Sequence, residues 1–223
     1  MMRDDKVKIM EAQTQYYKQR AKEYELVYQK PERQKDLKQI KAYLTKHFRP
    51  QNLIEIACGT GYWTAMLAKN TDQILGIDIN GEVIELAKQK DYHSSNVRFE
   101  VIDFKALEQS EQKFDGLFGG FIWSHLLQQE IDHFVSMMLK LVQSKGQLIF
   151  VDNKFVEGNS TPISRKDEAG NTFQNRRLTN GQQFEIIKNY PSREAMLALW
   201  EKAALNIKWV DFEYYWLIDI KRK

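Results

Sequence analysis

Three carboxylates stand where short apolar runs end: Glu55 in NLIEIACGTG, Asp78 in ILGIDIN and Asp103 in VRFEVIDF. A carboxylate at the end of a strand can accept hydrogen bonds from two neighbouring hydroxyls or from an amino group, and an ionised acceptor makes the stronger bond. The first acid leads into Gly59-Thr60-Gly61, where glycine permits a tight turn and a close approach of backbone to ligand. One acid at a strand end is ordinarily a residue on its way into a loop. Three at the ends of successive strands, the first with a glycine turn, describe a nucleotide-type site.

The elements that must position these acids read as an α/β chain. Strands are expected at Asn52–Ala57, Gln73–Ile77, Val97–Ile102, Phe114–Phe118 and Gln147–Val151. Helices are expected at Tyr62–Lys69, at Glu82–Lys90, and through Phe134, Met137, Met138 and Leu141, which are spaced i, i+3, i+4 and i+7. Lys145-Gly146 reads as the turn before the fifth strand. Alternating strands and helices imply a parallel sheet, and ligands bind such sheets at the carboxyl ends of the strands. Upstream, Ile9–Phe48 reads as polar helix broken near Pro31. Downstream, 152–190 has no helical period; Thr172–Leu178 and Gln183–Ile187 read as hairpin strands. Ser192 caps a helix through Met196, Leu199 and Trp200, and strands near Ile207–Phe212 and Tyr215–Ile220 close the chain.

A dinucleotide fold wants G-x-G-x-x-G, but Ala57, Gly59 and Tyr62 hold those positions, so that reading fails twice. Glu55 through Gly61 instead resembles motif I of the class I S-adenosylmethionine-dependent methyltransferases, with Ala57 in place of the motif's first glycine. The resemblance implies a Rossmann-like open, mostly parallel seven-stranded sheet with helices on both faces, a terminal β-hairpin and a β-rich insertion after strand five. It implies S-adenosyl-L-methionine as cofactor. Asp78, 17 residues beyond Gly61, would take the ribose hydroxyls; Asp103 the adenine amino group; the Phe104 amide and Ile79 the ring. Glu55, Ala57, Gly59, Gly61, Trp63 and Gly119 complete the implied cofactor contacts in the core.

Tyr16-Tyr17-Lys18-Gln19-Arg20-Ala21-Lys22-Glu23-Tyr24-Glu25 is similar to the YYxxRAxxYD-type segment that precedes this core in many small-molecule methyltransferases. There it acts as a lid, which implies that Tyr16 and Arg20 reach the methionine end of the cofactor while Tyr17 faces the substrate. Tyr17, Arg20 and Tyr24 lie at i, i+3 and i+7 on one helical face, a spacing that equally suits aromatics packed on a sheet. The implied division is a lid over 1–48, a cofactor-binding core over 49–152, a substrate-side insertion over 153–190, and a terminal helix and hairpin over 191–223.

Methyl transfer asks for a base only where the acceptor must lose a proton. His125, after strand four, is the candidate by location and by a pKa near neutrality; it could equally cap the next helix or pack under the insertion. Trp123 beside it is expected at the substrate. Cys58 lies in the cofactor turn, on the wrong side for a covalent role. Strand four runs into Gly119-Gly120-Phe121-Ile122 rather than [ND]-P-P-[YF], which disfavours nucleobase N-methylation. Asp152-Asn153 offers one carboxylate and one amide, a weak magnesium site, so no metal is expected. The insertion carries Arg165, Lys166, Arg176 and Arg177. Arg165 and Arg177 are assigned to an acidic group on the acceptor, and on a strand at most one of Arg176 and Arg177 can face the site.

Bulk properties narrow the class. The chain has 223 residues, 43% of them hydrophobic, with 33 basic and 30 acidic residues and a net charge of +3. That balance gives no basic stripe for nucleic acid or an anionic membrane. No apolar run approaches the ~20 residues of a membrane span, and MMRDDKVKIMEAQ lacks the apolar stretch of a secretory signal. The single cysteine excludes an intrachain disulfide. A cytoplasmic enzyme, monomer or homodimer, acting on a small-molecule methyl acceptor is the expectation. The rivals are an RNA or protein methyltransferase, and a protein that binds the same cofactor but transfers a different group.

Overall fold

Alternation along each strand sorts side chains onto two faces of one sheet. In β1 (Asn52–Ile56), Leu53 packs to one side and Ile54 and Ile56 to the other; in β5 (Val142–Asn153), Ile149 and Val151 join Leu53 while Leu148 and Phe150 join Ile54. The computed structural model describes residues 3–92 and 96–223, with side chains from residue 6. Met1 and Met2, part of the terminus read as lacking a leader, lie outside the described residues.

With β2 (Gln73–Asp78), β3 (Val97–Val101), β4 (Phe114–Gly120), β9 (Ala204–Asp211) and β10 (Tyr215–Arg222), the sheet has seven strands in the order β3-β2-β1-β4-β5-β10-β9. The pairings from β3 through β5 are parallel, and the β9–β10 hairpin adds antiparallel to β5. Helix α2 (Gln34–His47) and α3 (Thr64–Leu67) cover the Leu53 side; α5 (Ile131–Leu141) and α6 (Arg193–Trp200) cover the Ile54 side. The chain steps outward from β1 to β2 and β3, then returns to lay β4 on the other flank of β1. At that reversal the connections diverge, and a crevice opens beyond the carboxyl ends of β1 and β4. Helix α4 (Gly81–Lys88) follows β2 on this rim.

Between β5 and α6 the chain builds a second sheet, β6 (Arg165–Lys166), β7 (Thr172–Arg177) and β8 (Gln183–Ile187), antiparallel throughout. The N-terminal helix α1 (Arg3–Arg20) is bound to it by two small apolar clusters: Tyr16 with Leu178 and Ile186, and Ile9 and Met10 with Leu127, Phe173 and Ile187. These clusters are separate from the two main cores, so α1 and the insertion sheet close together over the crevice.

Three expectations change in detail. The polar helix does not run unbroken to Pro31: α-helical bonding stops at Arg20 and Ala21–Tyr28 winds as a 3-10 helix, its Tyr28 ring stacked on Tyr62 at 3.8 Å. The helix expected over Tyr62–Lys69 contracts to Thr64–Leu67 and a 3-10 turn, Ala68–Asn70. The turn expected at Lys145-Gly146 is a bulge within β5, with Lys145 in the left-handed region (φ 64°) and a register shift against β4.

Candidate active site

The crevice holds two adjoining cavities. The first encloses about 1040 Å³, its open mouth included. Its floor is Ala57, Gly59, Asp78 and Ile79, its far end Ile102, Asp103 and Phe104, and its roof Met10, Gln13, Thr14 and Tyr17 of α1. Gly59 has φ +55°, and a Cβ there would point at the Tyr24 ring, 3.7 Å away, across the cavity floor. Ala57 also adopts a positive φ, 51°, where a Cβ costs about 1–2 kcal/mol. The strained first position of the turn is therefore tolerated, and the unhindered second one is kept as glycine.

Asp78 does two jobs. Its carboxylate accepts from the Gly59 amide at 3.0 Å and from the Asn80 amide at 2.9 Å, so it fixes the glycine turn as well as facing the cavity. Burial raises its pKa while those amides, with that of Ile79, lower it. Asp103 accepts from the Lys105 amide at 3.0 Å and caps a 3-10 turn, Phe104–Gln109. Ile79 is half exposed on the floor, an apolar platform.

Several residues expected in this site are elsewhere. Glu55 lies behind the turn, fully buried, accepting from Thr64 Oγ1 at 2.6 Å and so tying the loop to α3. The space that a Cβ on Gly61 would need is taken by the Tyr92 hydroxyl; that glycine serves packing. Trp63 is core, and Gly119 leaves room for the Phe150 ring, while the next residue, Gly120, lines the cavity. Tyr16 is packed against the insertion. Trp123 is buried among Phe134, Phe150, Trp200 and Trp216, away from both cavities. Apart from Glu55, each is an aromatic or glycine whose type suits a site and a core equally, and only packing separates the two. Cys58 is buried, with its thiol pushed up by burial and by Glu55 and Asp78.

Burial pushes the Glu55 carboxyl up to about 8, against the Thr64 hydrogen bond that pulls it down. Between about 4.5 and 8 the folded chain then holds a proton that the unfolded chain has lost, so stability from this group falls as pH rises through that window. Glu55→Gln, which cannot ionise, is expected to gain stability relative to the parent by about 1.4 kcal/mol per pH unit across it and level off above. Urea unfolding of both proteins at pH 5, 7 and 9 checks this; a constant difference would remove the assignment.

The second cavity shares Tyr17, Tyr24, Phe121 and His125 with the first and continues outward beneath the insertion. Its described lining holds five cationic side chains, Arg20, Lys30, Arg33, Arg176 and Lys188, and no carboxylate. Arg33 is buried, with Nη2 on Asn159 Oδ1 at 2.5 Å and the guanidinium over the Tyr214 ring at 4.4 Å. Arg176 donates to Thr161 Oγ1 and Gln174 Oε1, both at 2.7 Å. The Nε of each arginine is buried without a partner. Of the adjacent pair, Arg176 faces the cavity and Arg177 faces solvent, which corrects the assignment of Arg177. Arg165 is also displaced: it pairs with Glu185 on the outside, over the Phe173 ring. Strand alternation puts Arg176 and Arg177 on opposite faces, but which of them turns inward depends on the register of β7 against β8.

His125 sits where the cavities meet. Its Nδ1 is 2.8 Å from the Ile187 carbonyl, which can only accept, so Nδ1 carries the proton and Nε2 is the acceptor for the Tyr17 hydroxyl at 2.7 Å. Burial, then the Lys188 cation, pushes the imidazole down to about 3 despite Asp152 nearby. Lys188 itself is missed by sequence reading. It is buried, donates to Ser124 Oγ at 2.6 Å and lies 3.5 Å from Asp152; burial lowers its pKa. Asp152 is buried too, but Lys188, His125 and the amides of Ser124 and Asn153 outweigh that burial and hold it low. Its oxygens are taken by Ser124, Asn153 and Lys188, and among the described residues no three His, Cys, Asp or Glu gather around a metal-sized space.

Residues 53–146 match the model of the methyltransferase domain family. That stretch, from β1 into β5, is a methyltransferase domain. The first cavity opens at the carboxyl ends of β1 and β4, beside the matched stretch. Two solved structures, described as the DhpI-SAH complex and the DhpI-SAM-HEP complex, superpose with a TM-score of 0.76 at 21% identity, covering 96% of this chain and 97% of theirs; at that identity the likeness is one of fold. An uncharacterized methyltransferase of Anoxybacillus flavithermus is 28% identical over 104 residues, 47% of this chain and 48% of its own. The phosphoethanolamine N-methyltransferase of Triticum aestivum is 22% identical over 181 residues, 71% of this chain and 36% of its own. The chain thus spans half or less of the length of these curated relatives. No helix among the described residues is long and apolar enough to cross a membrane.

Proposed function

We propose that this methyltransferase transfers a methyl group to a small acceptor bearing a phosphoryl-type or similar anion, held in the second cavity. One observation carries the reading: the described lining of this cavity has five cations and no acid, and two of its arginines, Arg33 and Arg176, each hold a buried Nε with no hydrogen-bond partner. Buried charges are ordinarily paired, and an unpaired one marks a missing counter-ion. An arginine fork matches carboxylate and phosphate oxygens. The name of the Triticum aestivum relative, a phosphoethanolamine enzyme, supports the same chemistry. A cavity roofed by α1 and the insertion suits a small molecule better than a polymer.

Bound in the first cavity, S-adenosylmethionine supplies a methyl group already activated on a sulfonium. Ala57, Gly59, Asp78, Ile79, Asp103 and Phe104 would hold it, with Tyr17 of α1 above, while Arg20, expected at the cofactor, lines the second cavity instead. The protein's work is orientation, exclusion of water and handling of one proton. Tyr17 gives its hydroxyl hydrogen to His125 Nε2, so its oxygen lone pairs are free to accept from an N–H or O–H on the acceptor. Lys188 and Arg176, which depress His125, would be offset by a bound anion. Nε2 therefore becomes more basic when the acceptor arrives, and the base is poor without it.

Arg176→Gln is expected to raise KM for a phosphoryl-bearing acceptor about 10–100-fold, the ~1.5–3 kcal/mol of a charge-assisted contact, while Arg177→Gln changes it less than about twofold. Formation of S-adenosylhomocysteine from a panel of small amines and alcohols, with and without a phosphoryl group, tests the reading. Turnover of the neutral members alone, or equal small effects from the two arginines, would overturn it.

A further inference from the structure

Phe121 is the second non-glycine residue of the site held in the left-handed region, with φ 62°. Two glycines precede it, and a third would remove a cost of about 1–2 kcal/mol. A bulky aromatic persists in such a conformation only where its surroundings over-determine it, and such places cluster at functional sites. The surroundings here are plain. The Phe121 amide donates to the Val151 carbonyl at 2.7 Å, and the ring packs against Tyr28, Trp63 and Tyr215 at centroid distances of 5.7, 6.3 and 5.5 Å.

Four residues line both cavities: Tyr17, Tyr24, His125 and Phe121. Whatever passes from the first cavity to the second crosses the frame they make. Tyr17 and Tyr24 come from the N-terminal segment, outside the sheet, and His125 is tied to Tyr17. Phe121 directly follows β4, and it is the frame's one member without a polar side-chain atom. We propose that Phe121 is a specificity-determining residue: its ring sets the bore of the frame and limits the group carried on the sulfonium to a methyl. The proposal rests on the cofactor assignment and not on the nature of the acceptor.

The test compares binding of S-adenosylmethionine, its S-ethyl analogue and S-adenosylhomocysteine by calorimetry, with no acceptor present. One methylene against a close-fitting wall is worth roughly 10–200-fold. The parent protein is expected to bind the S-ethyl analogue at least about 10-fold more weakly than S-adenosylmethionine, by the same principle. In Phe121→Ala that ratio should fall below about 3-fold, a residue of this one-methylene effect once the wall is gone, with S-adenosylhomocysteine affinity little changed. Phe121→Leu, which keeps an apolar side chain, should give an intermediate ratio and stands in if the alanine variant does not fold. An unchanged ratio in the variants, or no discrimination by the parent, would overturn the proposal. Failure of the parent to bind S-adenosylhomocysteine would instead overturn the cofactor assignment beneath it.

Discussion

Gly59→Val is expected to abolish binding of S-adenosylhomocysteine while the protein still unfolds cooperatively. The native φ of +55° is one that a β-branched residue does not adopt without strain, and the added carbons would enter the cavity floor beneath Tyr24. Both the turn and the space it frames would change. Asp78→Ala should follow with a smaller loss, at least about 10-fold in affinity, from removal of a charge-assisted acceptor. Because Asp78 also holds the Gly59 and Asn80 amides, this variant should melt at a lower temperature, whereas Asp78→Asn should recover part of the stability and little of the affinity. Calorimetric titration with S-adenosylhomocysteine, beside thermal unfolding, separates the two losses. Undiminished affinity in Gly59→Val would remove the cofactor cradle altogether.

The second large effect concerns the proton. His125→Ala is expected to lower turnover about 10²–10⁴-fold for an acceptor that must lose a proton, the range for loss of a general base. Tyr17→Phe should reach a similar loss, because it cuts the same relay at its hydroxyl. The double variant should be scarcely worse than either single one, since residues acting as one unit are strongly non-additive. Additive losses would place Tyr17 and His125 in separate roles. A near-normal rate in both single variants would assign them to structure, with an acceptor that needs no base. S-adenosylhomocysteine affinity serves as the control, and it should vary by less than a factor of about three, well inside the non-additivity expected of coupled sites.

The pieces of this site were unequally visible beforehand. Asp78, Asp103, Ile79 and Gly59 could be placed because strand ends are local events: an apolar run, an acid and a turn are adjacent in the chain, and the parallel sheet brings successive carboxyl ends to one edge. The parallel core follows from the alternation of strands and helices, the seven strands from the resemblance, and the strand order from the structure alone. Lys188 could not be found this way. It sits at the end of β8 in a segment without periodicity, and its meaning comes from Ser124 and Asp152, distant in sequence, meeting it in a buried place.

Sequence by itself therefore determined the α/β class and the strand-end acids Asp78 and Asp103 that line the first cavity, since these depend on local spacing and on a period of two or 3.6 residues. Tertiary structure decided which of the aromatics and glycines serve the site. Trp63, Trp123, Gly61 and Gly119 have side-chain chemistry fit for either role, and their neighbours in space settle it: Phe118, Trp200, Tyr92 and Phe150 respectively. It also decided that Arg176, not Arg177, faces inward, because a one-residue difference in register turns every side chain of a strand to the opposite face.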